Sequence, residues 1–358
     1  MLTPQEQELY KTLTELPGTS GFEHEVRKFM HDELTKTSET IVRDRLGSIF
    51  GVKAGTDENP LRIVVAGHMD EVGFMVTQIT DNGMIRFQTI GGWWNQTMLG
   101  HRVSVHTREG ILPGTIGSIP THLLTPEQLA KPMEIKQMLI DIGAQSREEA
   151  VSFGVRPGDQ IIMDGAFTPL AGNERFMAKA WDNRLGCGLA LETMAHFQDI
   201  KLPHTLICGA TVQEEVGLRG AKTAAALTKP DFAIVVDVSP ANDATGDKNQ
   251  FGQLGDGVLI RIHDRTMVMS QPMLDYVLET CEKYDINHQY FISPGGTDAG
   301  NFHLHETGVP TISICLSARY IHCSSSIIDS RDYQAAKQLV FKLIEDFSSE
   351  RFAQLLPR

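Results

Sequence analysis

The stretch Leu61-Arg62-Ile63-Val64-Val65-Ala66-Gly67-His68-Met69-Asp70 decides how this chain is read. Leu61 to Ala66 is a short, apolar, β-branched run of the kind that fills a strand buried on both faces of a parallel sheet. Pro60 ends the polar turn before it, and the run stops at Gly67-His68-Met69-Asp70. Three further runs share its texture: Thr205 to Val212, Phe232 to Val236 and Val309 to Leu316. Helical patterns lie between them, from Trp181-Asp182-Asn183 to about Gln198, from Met273 to Tyr284 and from Tyr333 to Phe347. Strands alternating with helices predict an α/β fold with a doubly wound, mostly parallel sheet.

Working outward, the N-terminal side adds helices. Thr19 and Ser20 offer caps before Glu23 to Lys36, where Val26, Phe29, Met30 and Leu34 recur at helical spacing. From about Glu71 to Asp164 the texture changes. Short alternating segments (Met84 to Phe87, Arg102 to His106, Gln160 to Met163) are separated by turns such as Asp81-Asn82-Gly83 and Pro157-Gly158-Asp159. One helix is expected after the capping box Ser146-Arg147-Glu148-Glu149. The expected organisation is an α/β domain of residues 1–70 and 165–358 interrupted by a small β-rich, barrel-like module at 71–164. A length of 358 residues fits this division, since about 150 residues per domain is usual.

Charge and cysteine usage exclude several classes. Lys and Arg number 32 against 45 Asp and Glu, a formal net charge of −13. Nucleic acid and anionic membrane surfaces, which need a cationic face, are therefore not expected partners. The acidity fits either a solvated surface or metal-binding carboxylates. The five cysteines, Cys187, Cys208, Cys281, Cys315 and Cys323, form no CxxC pair and read as reduced thiols of a cytoplasmic protein. The N-terminus has no basic, apolar leader pattern, and no run reaches about 18 apolar residues.

The chemistry lies at the strand ends. His68 follows the first run, Glu214 and Glu215 follow the second, Asp237 ends the third and His322 lies just past the fourth. Ligands of open α/β sheets bind beyond the carboxyl ends of the strands, so these side chains are delivered to one crevice. Asp182, before a helix, supplies a fifth arm. Imidazole nitrogens and carboxylate oxygens suit divalent zinc, cobalt or manganese. The inventory is too rich for one tetrahedral site, and with one carboxylate bridging it divides into two, as in co-catalytic hydrolases.

Each residue also has a plainer reading. A His after a strand is more often a hydrogen-bonded loop residue, a Glu pair is more often solvated, and an Asp before a helix is usually a cap. Joint placement at four strand ends is what favours the metal. Other motifs are weaker. His24-Glu25-Val26-Arg27-Lys28 has Lys where a zincin needs its second His, and reads as helix surface. His303-Leu304-His305 chelates only if it lies on a strand. Gly186-Cys187-Gly188 lacks the third glycine and the preceding strand of a dinucleotide site.

The segments Gly67 to Gly73, Ala180 to Arg184, Gln213 to Gly220, Val236-Asp237, Gly295 to Ala299 and Arg319 to His322 resemble, in order and spacing, the tetrahedral-cage di-metal aminopeptidases, which include glutamyl aminopeptidases. The resemblance spans nearly the whole chain. It implies a zinc-peptidase-like fold and removal of N-terminal residues from peptides. Asp182 would bridge two divalent ions, with His68 and Asp237 completing one site and Glu215 and His322 the other. Glu214 would be general base and acid, and Asp70 would accept the free imidazole N–H of His68. It further implies a dimerising role for the inserted module within a homododecamer. Acidic or bulky apolar N-terminal residues are favoured without a choice between them. The pattern usually continues with Ser after the last His, where this chain has Cys323.

Two other classes compete. An endoglucanase-type glycosidase would use Glu214 and Glu215 as its carboxylate pair, but two adjacent residues are badly placed to flank a glycosidic bond from both sides. That reading also leaves His68, Asp237 and His322 idle. An inactive metal-binding assembly protein would be expected to have lost a ligand or the base, and every expected position is filled. Arg319 or Arg219 would either pair with a substrate carboxylate or serve the structure.

Overall fold

The four apolar runs are neighbouring strands. In the computed structural model, Thr205–Thr211, Arg62–His68, Phe232–Pro240 and Thr311–Arg319 lie side by side in that order, all parallel. Residues 1–249 and 251–356 are described; Gln250, Pro357 and Arg358 of the expected α/β domain lie outside the described residues. Along the two middle strands nearly every residue is buried, which is why they read as continuous apolar runs rather than alternating ones.

The sheet is parallel only in this centre. Antiparallel strands Ile49–Lys53 and Thr40–Arg43 extend one margin, and Ser326–Asp329, Arg175–Ala178 and Thr168–Pro169 extend the other. Val258–His263 adds antiparallel to Thr311–Arg319 and carries His288–Ile292, giving eleven strands among the described residues. The margin hairpin turns on Asp44, whose Oδ1 accepts the N–H groups of Leu46, Gly47 and Ser48. Such a side-chain turn joins antiparallel neighbours without a crossover helix.

Helices cover both faces. Trp181–Phe197, Gln271–Lys283 and Ser330–Glu345 bury Leu185, Leu189, Tyr276, Leu339 and Leu343 against Val65, Val236 and Ile314. Each such aliphatic side chain contributes about 2 kcal/mol by leaving water. The opposite face carries Arg219–Thr228 and Ala299–His303, which pack Ala221, Ala224 and Phe302 on Val64, Ala66 and Val235. The Trp181–Phe197 helix comes very close to the central strand. A Cβ on Gly67 would lie 2.5 Å from the Gly186 carbonyl carbon, and one on Gly186 would lie 2.8 Å from the Val236 carbonyl oxygen, so both glycines serve helix–strand packing.

Residues 73–163 contain the second body. Gly73–Ile79, Ile85–Ile90, Ile140–Asp141, Ile111–Ile116, Arg102–His106 and Gln160–Met163 close into a barrel in that order. Alternating inward residues, among them Phe74, Val76, Ile85, Val103, Val105 and Ile161, fill it. The expected helix runs from Arg147 to Ser152, and Ser146 Oγ accepts the Glu149 N–H. Glu149 closes on the Gln145 N–H instead of that of Ser146. Thr19 and Ser20, read as caps, are used elsewhere. The helix begins at His24, Thr19 Oγ1 donates to Gln160 of the barrel, and Ser20 Oγ donates to Asp70.

Candidate metal centre

Every side chain expected at the crevice reaches it. His68 ends its strand, Asp237 lies within the next, Glu214 and Glu215 follow Thr211, and His322 sits in the turn beyond Arg319. Asp182 stands in the first turn of Trp181–Phe197, where the backbone departs from helical angles and the Asp182–Asn183 peptide is cis. The residues form two clusters. His68, Glu214 and Asp237 are buried; Asp182, Glu215 and His322 are partly exposed; within each, one ligand atom per residue lies within 4.8 Å of the others.

Asp182 faces both clusters. Its Oδ1 is 3.2 Å from His68 Nε2, and its Oδ2 is 3.5 Å from His322 Nε2. His322 Nε2 is also 3.4 Å from Glu215 Oε1, a buried oxygen without a hydrogen-bond partner. His68 Nε2 lies 3.7 Å from Asp237 and 3.8 Å from Glu214. Glu214, expected as base, thus stands beside His68 and Asp237 in the same cluster.

Backbone groups set the side chains. Asn183 Nδ2 donates to the Val236 carbonyl and Asn183 Oδ1 accepts the Gly186 N–H, which ties the Asp182 turn to the Asp237 strand. The buried Arg184 donates to Met69, Leu13, Leu16 and Gly18 carbonyls and to Glu71, pinning the His68 loop against the first helix. For Asp70 the structure modifies the expectation. The nearest acceptor for His68 Nδ1 is the Asp70 main-chain carbonyl at 3.0 Å, while its carboxylate Oδ1 is 3.5 Å away. The carboxylate is drawn to other donors: Glu214 N at 2.9 Å, Glu215 N at 3.0 Å and Ser20 Oγ at 2.6 Å. Asp70 therefore holds the Glu214-Glu215 turn by its side chain and the imidazole by its main chain. His322 Nδ1 lies 2.9 Å from the carbonyl of Gly92, a barrel residue.

Gathered anions dominate the electrostatics. Burial opposes charging of His322, yet Glu215 and then Asp182 push its pKa up to about 11. His68 is likewise raised against burial, chiefly by Glu214 and Asp182. Asp182 is held well below the usual range despite burial, by hydrogen bonds from His322 and His68. Burial raises Glu214 well above an ordinary glutamate; His68 opposes the shift, and Asp237, Asp298 and Glu215 add to it. In the ion-free site the imidazoles thus take up positive charge that the carboxylates demand, a demand divalent cations meet better.

The sequence assigns Asp298 no role, although it lies in the Gly295-Gly296-Thr297-Asp298-Ala299 motif. It is buried, pairs with the Thr211 hydroxyl, and leaves Oδ1 without a partner. Burial lifts its pKa to about 7, with Thr211 and His68 opposing and Asp70 and Asp237 reinforcing. Gly92 and Ser20 were also missed, since a main-chain carbonyl and a distant hydroxyl leave no spacing signal. His24 lies on an exposed helix surface, and neither His303 nor His305 joins a cluster among the described residues. Arg319 is bound bidentately by Asp243 at 2.6 and 2.8 Å. Cys323 Sγ donates to the Tyr320 carbonyl and belongs to neither cluster.

So much negative charge gathered in one crevice of an α/β sheet is relieved by divalent cations, and fold and site together put the molecule among the metal-dependent hydrolases. The M42 glutamyl aminopeptidase family matches residues 47–339, and the chain belongs to that family of metallo-aminopeptidases. It is 39% identical over 351 residues to the glutamyl aminopeptidase of Lactococcus lactis subsp. cremoris (strain MG1363), covering 96% of this chain and 97% of that one. Among solved structures it resembles the TET aminopeptidase of the marine sediment archaeon Thaumarchaeota archaeon SCGC AB-539-E09, with a TM-score of 0.95, 38% identity and coverage of 99% and 100%. The TET1 peptidase of Pyrococcus horikoshii, which can assemble into a tetrahedron or a large octahedral shell, matches with a TM-score of 0.85 and 31% identity over 95% of this chain and 99% of that one.

Proposed function

We propose that this aminopeptidase works with two divalent ions, zinc, cobalt or manganese, and removes single residues from peptide N-termini. The observation that carries this reading is Asp182, whose two oxygens face two separate His–carboxylate clusters. His68 and Asp237 would complete one site, and Glu215 and His322 the other. When bound, the ions would acidify an attacking water, polarise the scissile carbonyl and hold the substrate's free α-amino group.

The chain's own residues supply the proton chemistry. Glu214, 3.8 Å from His68 Nε2, takes a proton from the attacking water and returns it to the leaving amine. Asp70 keeps Glu214 and Glu215 in place through their backbone N–H groups. Glu214 and Glu215 are consecutive in one turn, which supports peptide rather than glycosidic hydrolysis, since glycosidases place their carboxyls on opposite sides of the bond. The Arg319 guanidinium is neutralised by Asp243, so an acidic N-terminal side chain would need another cation for recognition, whereas a bulky apolar one would not.

A panel of aminoacyl-nitroanilides tested after chelation and re-addition of zinc, cobalt or manganese decides the reading. Activity is expected to vanish, return with metal, and be absent on N-blocked peptides. Undiminished turnover by metal-stripped protein would overturn it. The barrel would serve assembly into dimers and then a dodecamer that admits only unfolded peptides in a reducing, cytoplasmic setting. Exposed Trp94, Leu123 and Leu129 give that module an apolar exterior suited to contact. Light scattering tests this, and a fully active monomer would count against it.

A further inference from the structure

The two imidazoles are held by the same device from different sources. A neutral imidazole carries one N–H. Given from Nδ1 to a carbonyl, it leaves the Nε2 lone pair free, and Nε2 is the atom that faces the carboxylates in both residues. His68 uses the carbonyl of Asp70, two residues along its own loop. His322 uses that of Gly92, which the chain places in the inserted barrel 230 residues away. His322 itself has φ of 57°, in a turn where Tyr320 is also left-handed. Its ring orientation therefore depends on an acceptor brought by another body.

The two residues flanking Gly92 aim that acceptor. Gly91 has φ of +81°, and a Cβ there would lie 2.5 Å from Val72 Cγ1 and 3.4 Å from Glu215 Oε2. Only glycine turns the chain so close to the site without strain. Trp93 follows Gly92 directly. Its indole N–H is shared between the Gly73 and Ile90 carbonyls at 3.1 and 3.2 Å, and its ring stacks on Phe74 with centroids 4.6 Å apart. The indole thus ties the turn to two barrel strands at the position where the Gly92 carbonyl meets His322.

We propose that Trp93 is a positioning residue of the metal centre. By locking the Gly91-Gly92-Trp93 turn it presents the Gly92 carbonyl to His322, and so sets the affinity of the Asp182–Glu215–His322 site without touching the His68–Asp237 site. This rests on the two-ion reading and adds that the inserted barrel is part of one of the two sites. The Glu71-to-Asp164 module contributes no side-chain ligand, yet it fixes the tautomer and direction of one.

The test is a zinc titration of the full-length protein against a chelating indicator, with stoichiometry by elemental analysis. Wild-type protein is expected to hold two ions. Trp93→Phe keeps ring stacking and loses the N–H, and should loosen one ion by about 10- to 100-fold, the usual worth of an outer partner of a ligand, while the other is unchanged. Gly91→Ala should do the same by displacing the turn, and it replaces Trp93→Phe if that variant does not fold. In a His322→Ala background, which already lacks this site, Trp93→Phe should add nothing. Two ions held with wild-type affinity in both variants, equal loosening of both ions, or an effect that persists in the His322→Ala background would overturn the proposal. Wild-type protein holding fewer than two ions would instead refute the two-ion reading beneath it.

Discussion

Replacing Asp70 by Asn tests whether the second residue beyond His68 works on the imidazole or on the Glu214-Glu215 turn. The carboxylate accepts Glu214 N on Oδ1 and Glu215 N with Ser20 Oγ on Oδ2. An amide offers one oxygen and one NH2 group. Whichever way it is turned, the NH2 faces a backbone N–H, so one donor is left unpaired in a shielded site. An unsatisfied buried group costs about 1–3 kcal/mol, and hydrogen bonds to a charged acceptor contribute about 1.5–3 kcal/mol each. A loss of about 3 kcal/mol follows. If it is expressed in the transition state, kcat/KM falls by about two orders of magnitude. Ser20→Ala removes one donor and leaves the carboxylate on both amides, so it should cost about 1.5 kcal/mol, the low end for a charged acceptor, and about tenfold in rate. The assay is aminoacyl-nitroanilide turnover at saturating metal, with urea unfolding of both variants. Asp70→Asn with kcat/KM within threefold of wild type, or Ser20→Ala as damaging as Asp70→Asn, would refute this account of the turn.

Three further outcomes are expected. Glu214→Gln should keep its metal and lose about two to four orders of magnitude in turnover, whereas Glu215→Gln should loosen one ion and regain part of its activity at high metal; elemental analysis beside kinetics reads both, and the reverse pattern would exchange their roles. Because His322 is pushed up to about 11 and His68 is also raised when no ion is present, metal binding must displace protons, and affinity should weaken as pH falls. Calorimetry in buffers of different ionisation enthalpy measures the release, and binding without protons at pH 7 would contradict it. His204, whose ring nitrogens are buried without partners, has its pKa lowered by burial to about 4 from 6.5. Between those values the unfolded chain binds a proton that the native chain refuses, so stability falls with falling pH, by about 2 kcal/mol from pH 7 to 5. His204→Phe should remove that dependence in urea titrations at the two pH values, and an unchanged slope would show that another group carries it.

The parallel centre of the sheet was legible because its strands are buried on both faces and carry unbroken β-branched runs. The antiparallel margins were not. Thr40–Arg43 and Arg175–Ala178 are short and only partly buried, and their pairing depends on turns such as that at Asp44 rather than on an apolar run. Thr19 and Ser20 misled for a related reason. A hydroxyl before a helical pattern reads as a cap, but here Gln160 and Asp70 compete for it across long sequence distances. Local propensity cannot register a partner 141 or 50 residues away.

The site divides in the same way. Residue type and strand-end position pointed to His68, Glu214, Glu215, Asp237 and His322, because a crevice beyond parallel strands collects whatever ends them, and the start of a helix pointed to Asp182. Their supports were invisible where the supporting atom belongs to the main chain. The Asp70 carbonyl was hidden behind its own carboxylate, which chemistry made the obvious partner of an imidazole, although three other donors claim that carboxylate. Gly92 has no side chain to read at all. A module with no ligating residues was therefore assigned to contact alone, while its backbone reaches an imidazole at 2.9 Å. An inserted domain that shapes a metal site through a carbonyl leaves glycines and an anchoring aromatic as its trace, and Gly91-Gly92-Trp93 is that trace here.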